Sequence, residues 1–186
     1  VKGYYNKLQN IKEKMIFAIR TNNIKLLEQL IEKGAYIRDQ AACYYAAESG
    51  HLDILKYLVE KGAYIHNDEV IIAIENGHLD IVKYLLGDEV ELNGEKIKLP
   101  ENISKGKISD SAIFLAAENG YLDIVKYLVG KGAKFGSDEI EKAYENNHLD
   151  IVEYLEKQKK YLEKQKLDDF ADDFLKNIEK RKRFNK

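Results

Sequence analysis

One eight-residue phrase recurs down the chain: H-L-D-I-L-K-Y-L at 51–58, H-L-D-I-V-K-Y-L at 78–85, Y-L-D-I-V-K-Y-L at 121–128 and H-L-D-I-V-E-Y-L at 148–155. A worn copy, N-I-K-L-L-E-Q-L, occupies 23–30. A chain that repeats one segment five times is a stack of like units rather than a fold around one unique core. The steps between Asp53, Asp80, Asp123 and Asp150 are 27, 43 and 27 residues. The unit is therefore about 27 to 30 residues long and is interrupted once, between the third and fourth copies.

Each phrase is preceded by a shorter apolar segment at helical spacing: Met15 to Arg20, Cys43 to Glu48, Val70 to Glu75, Ile113 to Glu118 and Ile140 to Glu145. Two residues beyond the last Glu stands Gly50, Gly77 or Gly120, and in the first and last units the corresponding residue is Asn22 or Asn147. Gly and Asn tolerate the left-handed backbone that stops one helix and reverses the chain. The phrase itself then reads as a second helix, with Leu52, Ile54, Leu55, Leu58 and Val59 on one stripe. Lys33-Gly34-Ala35, Lys61-Gly62-Ala63 and Lys131-Gly132-Ala133 end it with a cation and a Gly cap. Asp39, Asp68, Ser111 and Asp138 are placed to cap the next first helix. No single helix pair buries its stripe alone, so stacking is the only way to close the core.

The stretches A-A-E-S-G-H-L-D-I-L-K-Y-L-V-E-K-G-A at 46–63 and A-A-E-N-G-Y-L-D-I-V-K-Y-L-V-G-K-G-A at 116–133 resemble the ankyrin repeat. With their K-Y-L phrases and short units they look most like the ankyrin proteins of amoeba-infecting giant viruses. The resemblance spans roughly residues 12 to 157. It implies an all-α, ankyrin-like solenoid of about five helix-turn-helix repeats that binds another protein through its loops and concave face. The Thr-Pro-Leu-His opening of that family is absent, replaced by Ala41-Ala42-Cys43-Tyr44 and Ser111-Ala112-Ile113-Phe114. Short loops at Tyr36 to Asp39 and Tyr64 to Asn67 are expected in place of long β-hairpin fingers.

The interruption, about 87–110, carries V-E-L-N-G-E-K-I-K-L from Val90 to Leu99, an Asn-Gly pair between alternating runs, which is a strong hairpin signal. With Asn93 and Gly94 at the turn, Leu92 faces Glu95, Glu91 faces Lys96, Val90 faces Ile97 and Glu89 faces Lys98. One face is then apolar and the other carries two opposite-charge pairs. Such a hairpin needs a surface for its apolar face, either its own neighbours or a partner.

Beyond the repeats (1–157), the segment 158–186 reads as a helical cap or extension. Tyr154-Leu155-Glu156-Lys157-Gln158-Lys159 recurs seven residues later at Tyr161 to Lys166, so the last helix runs on without a stop. Leu167, Phe170, Ala171, Phe174, Leu175 and Ile178 continue an amphipathic pattern. A cap over the open end of the stack is the leading expectation, coiled-coil self-association the second. Lys180-Arg181-Lys182-Arg183 reads as a frayed terminus, with a nuclear-import cluster as the alternative.

Charge and residue chemistry narrow the function. Residues 154–186 carry 11 Lys/Arg and 7 Asp/Glu, and the rest of the chain 19 and 25. An acidic body argues against nucleic acid as the partner. The longest apolar run, Ala41 to Ala47, falls far short of the roughly 20 residues of a membrane helix. The start, Val1-Lys2-Gly3-Tyr4-Tyr5, lacks the apolar centre of a secretory signal and has no initiator Met, which points to a fragment. The single Cys43, inside the apolar run, reads as a buried thiol in a reducing compartment. His51, His78 and His148 recur at one repeat position, with Tyr121 in the fourth copy, so they belong to the architecture. No phosphate loop, metal-ligand spacing or catalytic grouping is found, and the acidic run Asp168, Asp169, Asp172 and Asp173 reads as a solvated face. No cofactor, metal or small-molecule substrate is expected, and an enzyme is the reading least supported.

What remains is surface. The resemblance places partner contacts at the ends of the first helices and in the loops: Arg20, Glu48, Ser49, Glu75, Asn76, Glu118, Asn119 and Glu145, with Thr21 and Asn146, then Tyr36, Tyr64 and His66. The four Glu form an acidic ladder, read either as a polar, solvent-facing stripe or as a site for a basic segment of a partner protein, a host protein if the chain is viral. The expectation is a monomer acting in the cytoplasm, host cytoplasm if viral, with the nucleus as alternative. The runner-up function is an adaptor whose C-terminal extension recruits a second protein, such as a ubiquitin-ligase component.

Overall fold

The computed structural model describes residues 2–37 and 40–184. In chain order the elements are α1 (Lys2–Arg20), α2 (Ile24–Glu32), α3 (Gln40–Ser49), α4 (Leu52–Glu60), α5 (Asn67–Glu75), α6 (Leu79–Leu85), β1 (Val90–Leu92), β2 (Glu95–Ile97), α7 (Ala112–Glu118), α8 (Leu122–Gly130), α9 (Ser137–Glu145) and α10 (Leu149–Phe184). The odd-numbered helices are the first helices of five pairs. They stack in order, α1 on α3, α3 on α5, α5 on α7 and α7 on α9, while each even helix packs against its own partner. The expected solenoid with one inserted hairpin is what forms.

Small residues make that stacking close. Ala18, Ala46, Ala47, Ala73, Ala116, Ala117 and Ala143 are fully buried between successive first helices. The second helices supply bulk: Leu27, Ile54, Leu55, Leu58, Ile81, Leu85, Ile124 and Leu128 are fully buried, each contributing about 1.5–3 kcal/mol relative to exposure.

Both ends of each pair are closed locally. Gly50, Gly77 and Gly120 have φ of +75, +77 and +80°, and Asn22 and Asn147 take the same role at +51 and +62°. The amides of His51, His78, Tyr121 and His148 then reach back to Ala46, Ala73, Ala116 and Ala143, satisfying carbonyls the helix end would orphan. The recurring Asp of the phrase sits in the first turn of the second helix. Asp53, Asp80, Asp123 and Asp150 each accept the amide of the following Ile at 2.8–2.9 Å.

Helix starts differ from expectation. Asp68 and Asp138 lie inside the first turns of α5 and α9, whose caps are His66 and Gly136. The capping carboxylates belong to Glu69 and Glu139, which reach back to accept the amides of His66 and Gly136, both at 2.7 Å. Ser111 does precede α7 but makes no side-chain cap bond. Asp39 lies outside the described residues. Asn67 is already helical, so the second loop ends at His66.

The hairpin has the expected register, Val90 with Ile97, Glu91 with Lys96 and Leu92 with Glu95. Its ion pair is diagonal: Lys96 binds Glu89 at 2.8 Å, not the directly opposed Glu91. Val90, Ile97 and Leu99 are buried, and β1 lies against α6. The rest of the insertion folds back on the stack. The Gly106 amide donates to the Leu85 carbonyl at 3.0 Å and the Lys107 amide to Asn67 Oδ1 at 3.0 Å. A Cβ on Gly106 would stand 2.3 Å from Val70 Cγ2, so this glycine is required by close approach. At the start of the insertion, Asp88 accepts the Tyr127 hydroxyl at 2.9 Å and binds Lys131 Nζ at 2.7 Å, tying it to α8 of the next repeat.

α10 is a single helix of 36 residues, about 54 Å long. Its first turns pack on α8 and α9, with Ile151 and Leu155 fully buried. From Tyr161 to Asn177 every residue is exposed, so the helix extends beyond the stack instead of turning back over its end. No Gly or Pro lies between Asn147 and the end of the chain to reverse it.

Candidate partner-binding face

The ends of the first helices are brought together by stacking. Arg20, Glu48, Glu75, Glu118 and Glu145 close α1, α3, α5, α7 and α9 in near-equivalent places, so the expected ladder exists as geometry. Its charges are not equally available. Arg20 bonds Glu48 at 2.8 Å across the first two repeats, and its guanidinium lies 4.6 Å from the centre of the Tyr45 ring. Glu145 is bound by Lys142 at 2.8 Å within its own helix. Among the described residues Glu75 and Glu118 have no ion-pair partner; Glu75 is exposed and Glu118 half-buried.

The amides next to them are also committed. Asn76, Asn119 and Asn146 each donate a side-chain hydrogen bond to the carbonyl four residues back, at 2.8–2.9 Å. They close the last turn of their helix in place of water, which removes one donor from any partner. Thr21 does the same through its hydroxyl to the Phe17 carbonyl at 2.7 Å. Ser49 is half-buried at the end of α3. The Arg20–Glu48 pair was readable in advance from opposite charges at aligned positions of adjacent units. The Asn caps were signalled by Glu-Asn at three successive helix ends.

The recurring histidines hold repeats together. The Nε2 of His51, His78 and His148 donates to the carbonyls of Arg20, Glu48 and Glu118 at 3.1–3.2 Å. Each bond ties the start of a second helix to the end of the first helix of the preceding repeat. The rings of His78 and His148, and that of Tyr121, also cover Gly50, Gly120 and Gly77, where an added Cβ would stand 2.5–2.6 Å away. These side chains are thereby spent on the stack.

In the loops, Tyr36 and Tyr64 are 69% and 57% exposed, so both project their rings as expected. His66 is exposed at the head of α5, its amide held by Glu69. Phe17, 60% exposed, adds an aromatic on α1 at the repeat position of Tyr45 that the sequence reading did not single out.

Two ionisable groups, a thiol and a carboxyl, lie buried in the stack. Cys43 is buried in α3, and burial first, then the charge of Glu69, pushes its thiol up to about 12, which keeps it protonated and poorly nucleophilic. Glu69 is fully buried, with one carboxylate oxygen on the His66 amide and Oε1 without a hydrogen bond. Desolvation raises its pKa against the opposing pull of its backbone hydrogen bonds. Its role is the helix cap. Among the described residues no group of three or more His, Cys, Asp or Glu could hold a metal ion, and no helix is long and apolar enough to cross a membrane.

Comparison with protein families matches residues 70–166 to the description "Ankyrin repeats (3 copies)" and residues 43–86 to "Ankyrin repeats (many copies)". A search of curated proteins finds no match to the chain.

Proposed function

The chain belongs to the ankyrin repeat family, and on that premise we propose that it is a protein-binding scaffold whose partner docks on the first-helix ends and adjoining loops. One observation carries this reading: Arg20–Glu48 and Lys142–Glu145 are paired internally, and among the described residues Glu75 and Glu118 make no ion pair and stand as adjacent helix-end charges in the middle of the face. Exposed Tyr36 and Tyr64 line the same loops, and aromatic residues of this kind anchor interfaces. The partner this fits is a protein with a basic segment whose two cations meet Glu75 and Glu118. If the resemblance of the K-Y-L repeats to giant-virus ankyrin proteins reflects a viral origin, the partner is a host protein met in the cytoplasm.

The test is capture from host lysate with the wild type and with Glu75→Lys/Glu118→Lys. Loss of the partner by the variant, with its melting temperature unchanged, supports the assignment; retention moves the site elsewhere. The adaptor reading draws on the exposed end of α10. Leu167 to Asn177 are all exposed, so removal of residues 167–186 is expected to spare the scaffold's partner, whereas an adaptor loses one of two partners.

A further inference from the structure

Stacking leaves one end of the solenoid uncovered. Tyr144 of α9 occupies the repeat position at which Ala47, Ile74 and Ala117 are buried beneath the following first helix, yet it is 68% exposed. Beside it a groove of about 530 Å³ runs between α9 and α10, with Ile140, Tyr144 and Val152 as its apolar floor and Glu156, Lys159 and Glu163 among its rim.

The far half of α10 presents the complementary object. Leu167, Phe170 and Phe174 are 69%, 71% and 58% exposed. Their spacing continues that of the groove residues: 152, 156, 159, 163, 167, 170, 174 and 178 advance by three or four residues and so share one face of a single helix. One face thus carries an apolar groove in its first half and an apolar stripe in its second. The helix does not fold back, so the stripe of one chain does not reach the groove of the same chain.

We infer that two copies of this chain pair antiparallel along α10, each laying the stripe 167–178 into the other's open-end groove. A two-fold axis beside Lys166 achieves this with a self-complementary contact, the requirement for a closed dimer. The charges select the same register. Residues 157–166 hold five Lys and one Glu, and 168–173 hold four Asp. The axis sets Asp173 opposite Lys159 on the groove rim, with Asp169 opposite Glu163 as the one like-charge pair there, whereas a parallel pair would set the aspartates of both copies together. The assignment is independent of the partner face, which stays free in both copies and makes the dimer bivalent.

Sedimentation velocity of the 186-residue chain at 10–100 μM tests it. The expected wild-type species has twice the 21.5 kDa of one chain. Phe170→Glu/Phe174→Glu, both at exposed positions, should weaken dimerisation tenfold or more with an unchanged far-UV circular dichroism spectrum, and Tyr144→Ser should weaken it from the groove side. In a Cys43→Ala background, Lys159→Cys mixed with Asp173→Cys should form a disulfide-linked heterodimer in large excess over either alone. A wild-type monomer at 100 μM, or a dimer indifferent to the Phe substitutions, overturns the inference; linkage of 159 to 159 overturns the antiparallel arrangement.

Discussion

Replacing Gly120 by alanine separates two reasons for glycine at the repeat turn. The first is backbone: φ is +80°, and an L residue there costs about 1–2 kcal/mol. The second is space, since the new Cβ would stand 2.5 Å from Cε1 and 2.7 Å from Nδ1 of His148. The ring must move, which strains or breaks its 3.2 Å bond to the Glu118 carbonyl, a further 0.5–1.5 kcal/mol or so. The expected total is about 2–3 kcal/mol. Gly132→Ala is the control, because its φ is +84° but nothing lies within 4 Å of the added carbon. It should lose only the backbone part. Urea unfolding followed by circular dichroism reads the difference as a midpoint shift at constant slope. In a His148→Ala background the excess cost of Gly120→Ala over Gly132→Ala should vanish. Equal losses at the two glycines, or an excess that survives removal of the ring, refute the argument. The two terminal turns bracket this: no repeat follows Asn147, which carries a side chain at φ +62°, whereas Asn22 carries one at φ +51° although His51 of the next repeat bonds the Arg20 carbonyl.

Asp88→Asn weakens the bonds to Tyr127 and Lys131 that tie the insertion to α8; with Asp88 about a third exposed, the expected loss is about 1 kcal/mol. The Lys131 hydrogen bond is the main cause that lowers the Asp88 pKa below 3.8, so its stabilisation is present above that pH and is lost as pH falls through the folded value. Unfolding midpoints between pH 2 and 5 should show the wild-type advantage over Asp88→Asn shrinking toward acid. Glu69 has the opposite sign, since burial raises its folded pKa above 4.5. Its ionisation destabilises the fold above the folded value, and that cost fades as pH falls toward 4.5, at up to about 1.4 kcal/mol per pH unit. Wild type measured against Glu69→Gln should therefore gain relative stability as pH falls through the folded value toward 4.5; a difference that stays pH-independent down to 4.5 would count against a buried ionised carboxylate.

The local half of this structure was written in the residue order. Five copies of one phrase, a Gly or Asn two residues past each first helix, and Asn93-Gly94 between alternating runs fixed the helix pairs, the reversals and the hairpin register, because each depends on neighbours within a few residues. The ladder of helix-end charges was equally legible, since equivalent positions of a solenoid lie one above another. Which of those charges stay available was settled in part by stacking, where Arg20 meets Glu48 in the adjacent repeat, and in part within a helix, where Lys142 meets Glu145. Helix starts were misplaced because a Glu three residues inside a helix caps as well as an Asp before it, and only the path of the entering chain decides between them. The tail differed for the same reason. Its periodicity specified a helix, but whether that helix covered the stack or ran past it depended on where α10 left α9, and on the absence of any residue between them and the terminus that breaks a helix.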